Sequence, residues 1–269
     1  MMKSNSHIYT PVQPFVKQPE EAVVYREFLP DPALEEYIYC YWQLKTTRPL
    51  TAPFHYRVVA DGCMDIFFEL HDPRQSFVMG FSDAYTSFPL EGSFNYVGIR
   101  FLPGMFPRLF RLNAAEISKQ VISLEDVAPA VTRFLQDCFH AEMSEQQLKP
   151  LLDAFLRDHI APKVLPADNR LLEAVDLIVW HSGIISIEKE LPPGISSRQL
   201  RRLFEFYIGD TPKAFSKVVR FQKILQFTHS PEYIRRNRSY LDAGYYDQAH
   251  FIREFKTLYG LTPAKVFGK

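Results

Sequence analysis

Hydrophobic and polar positions change their spacing along the chain. From Phe28 to Pro103, short apolar and aromatic runs are separated by glycines and turn residues, which is typical of several short β-strands. After Pro103, apolar residues recur at three- and four-residue intervals, as they do on one face of a helix. A stretch with two prolines at 161–169 interrupts this spacing, which then continues from residue 170. The pattern predicts a sheet followed by helices, a linker and an all-helical second domain.

The strand-like half contains one strong turn signal, Asp61-Gly62, within FHYRVVADGCMDIFFEL at 54–70. This dipeptide between two β-rich runs is typical of a two-residue hairpin, so we expect the flanking strands to pair with each other. With the strands that follow, they predict a small antiparallel barrel or sandwich.

An amphipathic helix is predicted at 144–160, with Ser144 as its cap. Its apolar stripe is broader than one helix lying on a barrel commonly needs, so we expect a homodimer through 144–160. The stripe consists of Leu148, Leu151, Leu152, Phe155, Leu156 and Ile160.

The last third of the chain repeats itself at an offset of 51 residues. ISSRQLRRLFEFYIGDTP at 195–212 recurs as YYDQAHFIREFKTLYGLTP at 245–263. In each copy a capping residue, Ser196 or Asp247, opens an apolar-periodic helix, a glycine ends it and Thr-Pro opens the next helix. Such a duplication predicts two helix-turn-helix units.

The outward faces of the two duplicated helices carry side chains that can read DNA. Arginine can donate two hydrogen bonds to guanine and glutamine can pair with adenine in the major groove. The alternative is an amphipathic helix pair whose charges form a solvated face. The candidate base-reading residues are Arg198, Gln199, Arg201, Arg202, Gln248, His250 and Arg253, and Arg235, Arg236 and Arg238, off these faces, are candidate phosphate contacts.

The charge divides along the same boundary, although the net charge of the chain is zero. Residues 1–164 hold 15 Lys and Arg against 20 Asp and Glu, and residues 165–269 hold 16 against 11. The positive half suits nucleic acid, and the acidic half requires another role. We expect the acidic half to lie against the basic face, or to lower its potential.

GYYDQAHFIREFKTLYGLTPAKVF at 244–267 resembles AraC/XylS-type bacterial transcription regulators, and the resemblance covers roughly the last hundred residues. It implies two helix-turn-helix subdomains joined by one long helix, here 211–228, each placing a recognition helix in the major groove. Two supporting segments depart from the family pattern. IEKELPPGI at 187–195 contains Pro192-Pro193, and YIRRNRSYLDAG at 233–244 has Tyr240 where the family usually keeps alanine.

The first half resembles a small regulatory domain that precedes such modules in many bacterial regulators. RVVADGCMDIFF at 57–68 and VGIRFLPG at 97–104 carry this resemblance. It implies a barrel reminiscent of cupins, followed by helices, with no known chemistry.

A polar cluster among the strands, Arg57, Asp61, Asp65 and Arg100, is the candidate ligand-binding group. These side chains could hold a polar ligand by charge-assisted hydrogen bonds. Alternatively, they pair with one another and fix the hairpin. The aromatic residues of the strands could line a pocket for an apolar or planar molecule, although most are expected to be core.

Other function classes have little support in the sequence. A metal-dependent cupin enzyme needs closely spaced ligands, but no two histidines of the first half lie within four residues of each other. We find no nucleophile in a recognisable turn and no glycine-rich phosphate loop. We therefore expect no enzyme, no metal and no cofactor. No apolar run is long enough for a membrane span and no signal peptide is recognisable, which predicts a cytoplasmic protein without membrane contact.

These observations predict an α+β protein. We expect a barrel-like regulatory or dimerisation domain with C-terminal helices at 1–160, a linker at 161–169, and a double helix-turn-helix at 170–269. The predicted function is a sequence-specific DNA-binding transcription regulator, with double-stranded DNA, a small-molecule effector and RNA polymerase as candidate partners. The alternative is a helical partner-binding module that has lost sequence-specific DNA binding.

Overall fold

The computed structural model describes residues 9–14, 22–166, 168–185, 190, 194–227 and 244–267. The strands are β1 Val23–Phe28, β2 Ile38–Thr46, β3 Phe54–Val58, β4 Met64–Glu69, β5 Asp72–Met79, β6 Thr86–Leu90, β7 Asn95–Phe101 and β8 Val121–Ser123. The helices are α1 Met105–Phe110, α2 Leu124–Val127, α3 Pro129–Cys138, α4 Glu145–Phe155, α5 Asn169–Trp180, α6 Ser197–Tyr207, α7 Pro212–Phe227, α8 Gln248–Tyr259 and α9 Pro263–Phe267.

The strands form two antiparallel sheets. The larger has the order β1-β2-β7-β4-β5-β8, and β3 pairs with β6 in a separate two-stranded sheet. Side chains of β2 alternate between the faces of the large sheet, as its pleat requires. Trp42 and Leu44 pack towards β3 and β6, whereas Tyr41 packs on the helical side. The N-terminal half is thus a small sheet, a large sheet and helices in three layers.

The predicted hairpin at Asp61-Gly62 is wrong. β3 pairs with β6, and β4 pairs with β5 and β7, so the strands that flank the dipeptide lie in different sheets. β4 is buried on both faces and lies between two neighbouring strands, which leaves no free edge for β3. Gly62 has a φ of +76°, so the dipeptide does make a turn, but the turn carries the chain from the small sheet to the large one.

The C-terminal half is helical. The residues that start and end its helices lie next to those helices in the sequence. Ser196 and Gln199 form a capping box at the start of α6, and Asp247 accepts a hydrogen bond from the His250 backbone at the start of α8. Gly260 ends α8 in the left-handed region, with a φ of +89°. The joining helix predicted at 211–228 is confirmed as α7 over Pro212–Phe227, and Thr228 lies outside the described residues.

The predicted α+β class is confirmed, with an antiparallel sheet-rich N-terminal half and a helical C-terminal half. The linker predicted at 161–169 contains one turn of 3-10 helix, Ala161–Lys163, and Asp168 caps α5. The boundaries 1–160, 161–169 and 170–269 stay a prediction. No helix within the described ranges has the length and apolar character needed to cross a bilayer.

The homodimer predicted through 144–160 stays a prediction, and most of the apolar stripe on which it rests is buried within the single chain. The leucines of the stripe at positions 148, 152 and 156 are buried within the single chain. Phe155 stacks on Phe134 of α3, with ring centroids 3.8 Å apart. Leu151 and Phe155 are half-buried and pack against the same core, so the stripe lies mainly against its own chain.

Leu152→Ala should therefore lower the free energy of unfolding of the full chain by about 2–5 kcal/mol, because Leu152 is 1% exposed and its truncation leaves a cavity. Chemical denaturation measures this change. The matched control is Leu29→Ala, since Leu29 is 65% exposed and the cost should stay within about 0.5 kcal/mol. Equal unfolding midpoints for the two variants would contradict the burial of the stripe.

Candidate nucleic-acid interface

α6 and α8 each have one buried and one exposed face. Leu200 and Phe204 bury the inner face of α6, and Phe251 and Phe255 bury that of α8. The periodicity that buries these residues turns the polar residues between them outward. The exposed predicted site residues are Arg198, Gln199, Arg201 and Arg202 on α6, and Gln248 and Arg253 on α8.

Two of the predicted site residues already have partners in the free protein. The Gln199 Oε1 accepts hydrogen bonds from the Ser196 backbone N–H at 3.0 Å and from its hydroxyl at 2.9 Å. His250 is half-buried, with Nε2 3.6 Å from Glu254 and its ring against Tyr245. Gln199 therefore stabilises the start of α6, and His250 is held against its own subdomain.

Arg220 of α7 anchors α8, a role that the sequence analysis did not assign. Its Nη2 donates to the Glu254 carboxylate at 2.7 Å, and its guanidinium lies 4.3 Å from the ring centroid of Tyr245. Burial alone would lower the pKa of Arg220, but its hydrogen bond to Glu254 and the nearby Tyr245 raise it. A cation in this half can thus serve packing and is not automatically a DNA contact.

Arg235, Arg236 and Arg238, the candidate phosphate contacts, lie outside the described residues. Most of the two irregular supporting segments, 187–195 and 233–244, lies outside them as well.

The N-terminal half contacts α6 and α8 near their C-terminal ends. The Ala60 backbone N–H donates to the carbonyl of Leu258 at 3.1 Å, and that of Tyr85 donates to the carbonyl of Thr257 at 3.0 Å. Near the end of α6, Lys119 pairs with Asp210 at 2.9 Å. The acidic half was expected to lie against the basic face, but these contacts leave the arginines near the helix starts exposed.

A polar side chain of α7 joins three segments at this interdomain contact. Gln222 is fully buried, and its Nε2 donates to the carbonyl of Ala60 at 2.8 Å. Its Oε1 accepts from the backbone N–H of Val12 at 2.7 Å. Gln13 in turn bonds both backbone groups of Val59, each at 3.0 Å. The residues near the N-terminus, to which the sequence assigned no role, therefore link the turn at 59–62 to α7.

The structure brings together three of the four candidate ligand-binding residues. Arg100 is 1% exposed; its Nη2 donates to Asp65 at 3.0 Å, and its Nε lies 3.3 Å from Asp61. The Trp42 Nε1 also donates to Asp65, at 2.9 Å. Arg57 stands apart, with its guanidinium 5.4 Å from the ring centroid of Tyr85.

Burial and pairing set the charges in this cluster. Burial raises the pKa of Asp65 to about 6, although the Arg100 charge acts to lower it. Burial alone would lower the pKa of Arg100, but Asp65 and Asp61 hold it well above its ordinary value. Arg100 therefore remains a cation at neutral pH.

A cavity of about 330 Å³ lies between the two sheets, beside this cluster. Arg100 and Asp65 are among its lining residues and supply its charged groups. The aromatic lining residues are Trp42, Tyr56, Phe67, Phe77, Phe88 and Tyr96. Within the described ranges, no three His, Cys, Asp or Glu side chains are grouped as a metal site would require.

Two family models match the sequence. Residues 26–123 match a domain of unknown function, DUF6597, and residues 193–269 match a helix-turn-helix domain. A search of curated proteins returns no match.

Among solved structures, the chain is similar to ToxT from Vibrio cholerae O395, with 11% identity and a TM-score of 0.39 over 92% of this chain and 97% of that one. It is also similar to wild-type ToxT from Vibrio cholerae strain SCE256 bound to an unsaturated fatty acid. That match has 12% identity and a TM-score of 0.41 over 93% and 96% of the two chains. These values are too low for either structure to assign a property to this chain.

Gly62→Ala should destabilise the full chain by about 1–3 kcal/mol more than Gly92→Ala in chemical denaturation. Both glycines have positive φ, +76° and +62°, so both variants carry the backbone strain of a left-handed alanine. At position 62, the added Cβ would also lie 3.1 Å from the ring of Phe215 in α7. At position 92, no described atom lies within 4 Å of it. Equal losses would show that the turn does not pack on α7 as described.

Proposed function

We propose that this chain, which carries a C-terminal helix-turn-helix domain of the AraC type behind an N-terminal DUF6597 domain, is a cytoplasmic, sequence-specific transcription regulator. α6 and α8 would be its recognition helices, and double-stranded DNA its partner. It would act on RNA polymerase at the sites it binds.

One observation carries this proposal: two duplicated helices expose matching arginine-bearing faces. Arg202 of α6 and Arg253 of α8 occupy equivalent positions in the repeat, and both are exposed. Two such helices, joined by α7, can each enter a major groove, as helix-turn-helix domains do. A solvated surface would not require the same arginine twice.

The exposed residues divide into base-reading and positioning roles. We assign Arg198, Arg202 and Arg253 to guanine and Gln248 to adenine, since these pairings fit the major-groove edges. Arg201 is a further exposed base-reading candidate. Gln199 would have to release its capping bonds with Ser196 before it could read a base. We assign Arg235, Arg236 and Arg238 to phosphates because of their charge alone.

We assign effector binding to the N-terminal domain. Its support is the cavity of about 330 Å³ between the sheets, which reaches the size range of small-molecule sites. The interdomain contact at 59–62 gives such a molecule a physical route to the DNA-binding half.

Selection of bound sequences from random double-stranded DNA with the purified full chain tests the proposal. Once a site is found, replacing Arg198, Arg202 or Arg253 by alanine should weaken binding there by about 1–3 kcal/mol, or about 5- to 150-fold. Binding to random DNA should change little, because a base contact adds nothing on unselected sequence.

The matched control is Arg133→Ala, which removes an exposed arginine from α3 in the N-terminal half and should leave both affinities unchanged. Equal losses on selected and random DNA would make the recognition-helix arginines phosphate contacts. Failure to enrich any sequence would favour the alternative, a helical partner-binding module.

A further inference from the structure

We propose that the cavity between the two sheets binds a neutral, largely aromatic molecule with a carbonyl or hydroxyl oxygen at one end, and that Arg100 and Asp61 transmit its binding to the helical half. The proposed binding site depends only on residues of the N-terminal domain. The proposed transmission to the helical half also depends on the function proposed above.

The walls of the cavity select an apolar body. Aromatic rings from both sheets surround it, including Tyr56 and Phe88 on the small sheet and Phe67 and Phe77 on the large one. Its volume of about 330 Å³ lies within the range of small-molecule sites. Planar rings fit between such walls by stacked and edge-to-face contacts. A molecule of one or two rings therefore suits the space.

Two buried polar groups at the cavity lack a hydrogen-bond partner among the described residues. They are the Nη1 of Arg100 and the hydroxyl of Tyr56. Both residues line the cavity, and both are more than nine-tenths buried. Buried polar groups are almost always satisfied in folded proteins, and both of these groups can donate. An acceptor oxygen on a bound molecule would satisfy them.

The surrounding charges argue for a neutral oxygen and against a carboxylate. Arg100 already faces the carboxylates of Asp61 and Asp65, and Glu27 Oε1 lies 3.6 Å from its Nη1. A fourth carboxylate would add like-charge repulsion in a buried place. A ketone or hydroxyl oxygen accepts the same hydrogen bonds without that repulsion.

The contacts of Arg100 lead out of the cavity to the helical half. Its Nε lies 3.3 Å from Asp61 Oδ2, and this oxygen also accepts from Gln13 at 2.7 Å. The residue before Asp61, Ala60, bonds Leu258 of α8 and Gln222 of α7. Because Nη1 and Nε belong to one rigid guanidinium, a ligand that draws Nη1 towards itself also shifts Nε relative to Asp61, so occupied and empty cavities favour different placements of the turn at 59–62.

Calorimetric titration of the full chain at neutral pH with three probes of equal size tests the binding site. Acetophenone offers a neutral oxygen, benzoate an anion and cumene no oxygen. We expect acetophenone to bind at least about tenfold more tightly than benzoate. It should bind about two- to tenfold more tightly than cumene for each of the two hydrogen bonds that its oxygen accepts.

Two variants locate the site. Tyr56→Phe keeps the ring and removes the hydroxyl, so it should weaken acetophenone about two- to tenfold and leave cumene unchanged. Val121→Trp adds bulk at an exposed residue of the cavity lining and should weaken acetophenone and cumene together. Benzoate binding as tight as acetophenone, no binding by any probe, or affinities unchanged by both variants would overturn the site.

The transmission is tested separately, by the affinity of the full chain for its selected DNA site with and without saturating acetophenone. We expect a change of at least about fivefold, the lower end of ordinary coupling between two sites. Binding of acetophenone with an unchanged DNA affinity would overturn the transmission. A chain that selects no DNA would overturn the proposed function, whereas the calorimetric result would still decide the site.

Discussion

The structure depends on one short turn, residues 59–62, which lies where its two halves meet. Gln13 bonds the backbone of Val59 on one side of the turn, and Ala60 bonds α7 and α8 on the other. Gly62 then passes so close to Phe215 that a side chain at this position would crowd the ring. The turn thus contacts a segment near the N-terminus, the sheet domain and two helices of the C-terminal half.

Asp61 makes this turn a charged element as well as a packed one. Its side chain is buried beside Arg100, accepts from Gln13, and accepts from the backbone N–H of Cys63 at 3.0 Å. Removing one partner of a buried ion pair is far more costly than the net contribution of the pair, because the remaining charge is left uncompensated. The cluster therefore fixes the turn relative to the large sheet, and through the turn it helps to fix α7 and α8.

Sequence reasoning succeeded where structure is local. The caps, the glycine stops and the apolar spacing of α6 and α8 act within one helix, so their elements could be predicted from residues such as Ser196 and Gly260. Sequence reasoning failed where a residue or strand pairs with a partner that is distant in the sequence. The Asp61-Gly62 signal correctly indicates a turn, but the strands that pair on either side of it are set by which edges and faces are buried.

The same limit explains the stripe on α4 and the role of Gln222. Periodicity shows that Leu152 lies on an apolar face, but it does not show what covers that face. Gln222 pairs with Val12, 210 residues away in sequence, and a single glutamine in a helix gives no signal of such a contact. For the candidate interface, the sequence could predict which residues α6 and α8 expose. For the cavity, it could predict the lining residues only as a group.

The contact at 59–62 also limits how such a protein can be built by exchanging gene segments. An N-terminal domain taken from elsewhere would need its own backbone donor opposite Leu258 and its own acceptor for Gln222. Without them, buried groups of the helical half would lose their partners, and the ring of Phe215 would lose its neighbour Gly62. The two halves are therefore expected to be inherited as a pair, and a substitution on one side of the contact should be followed by a compensating one on the other.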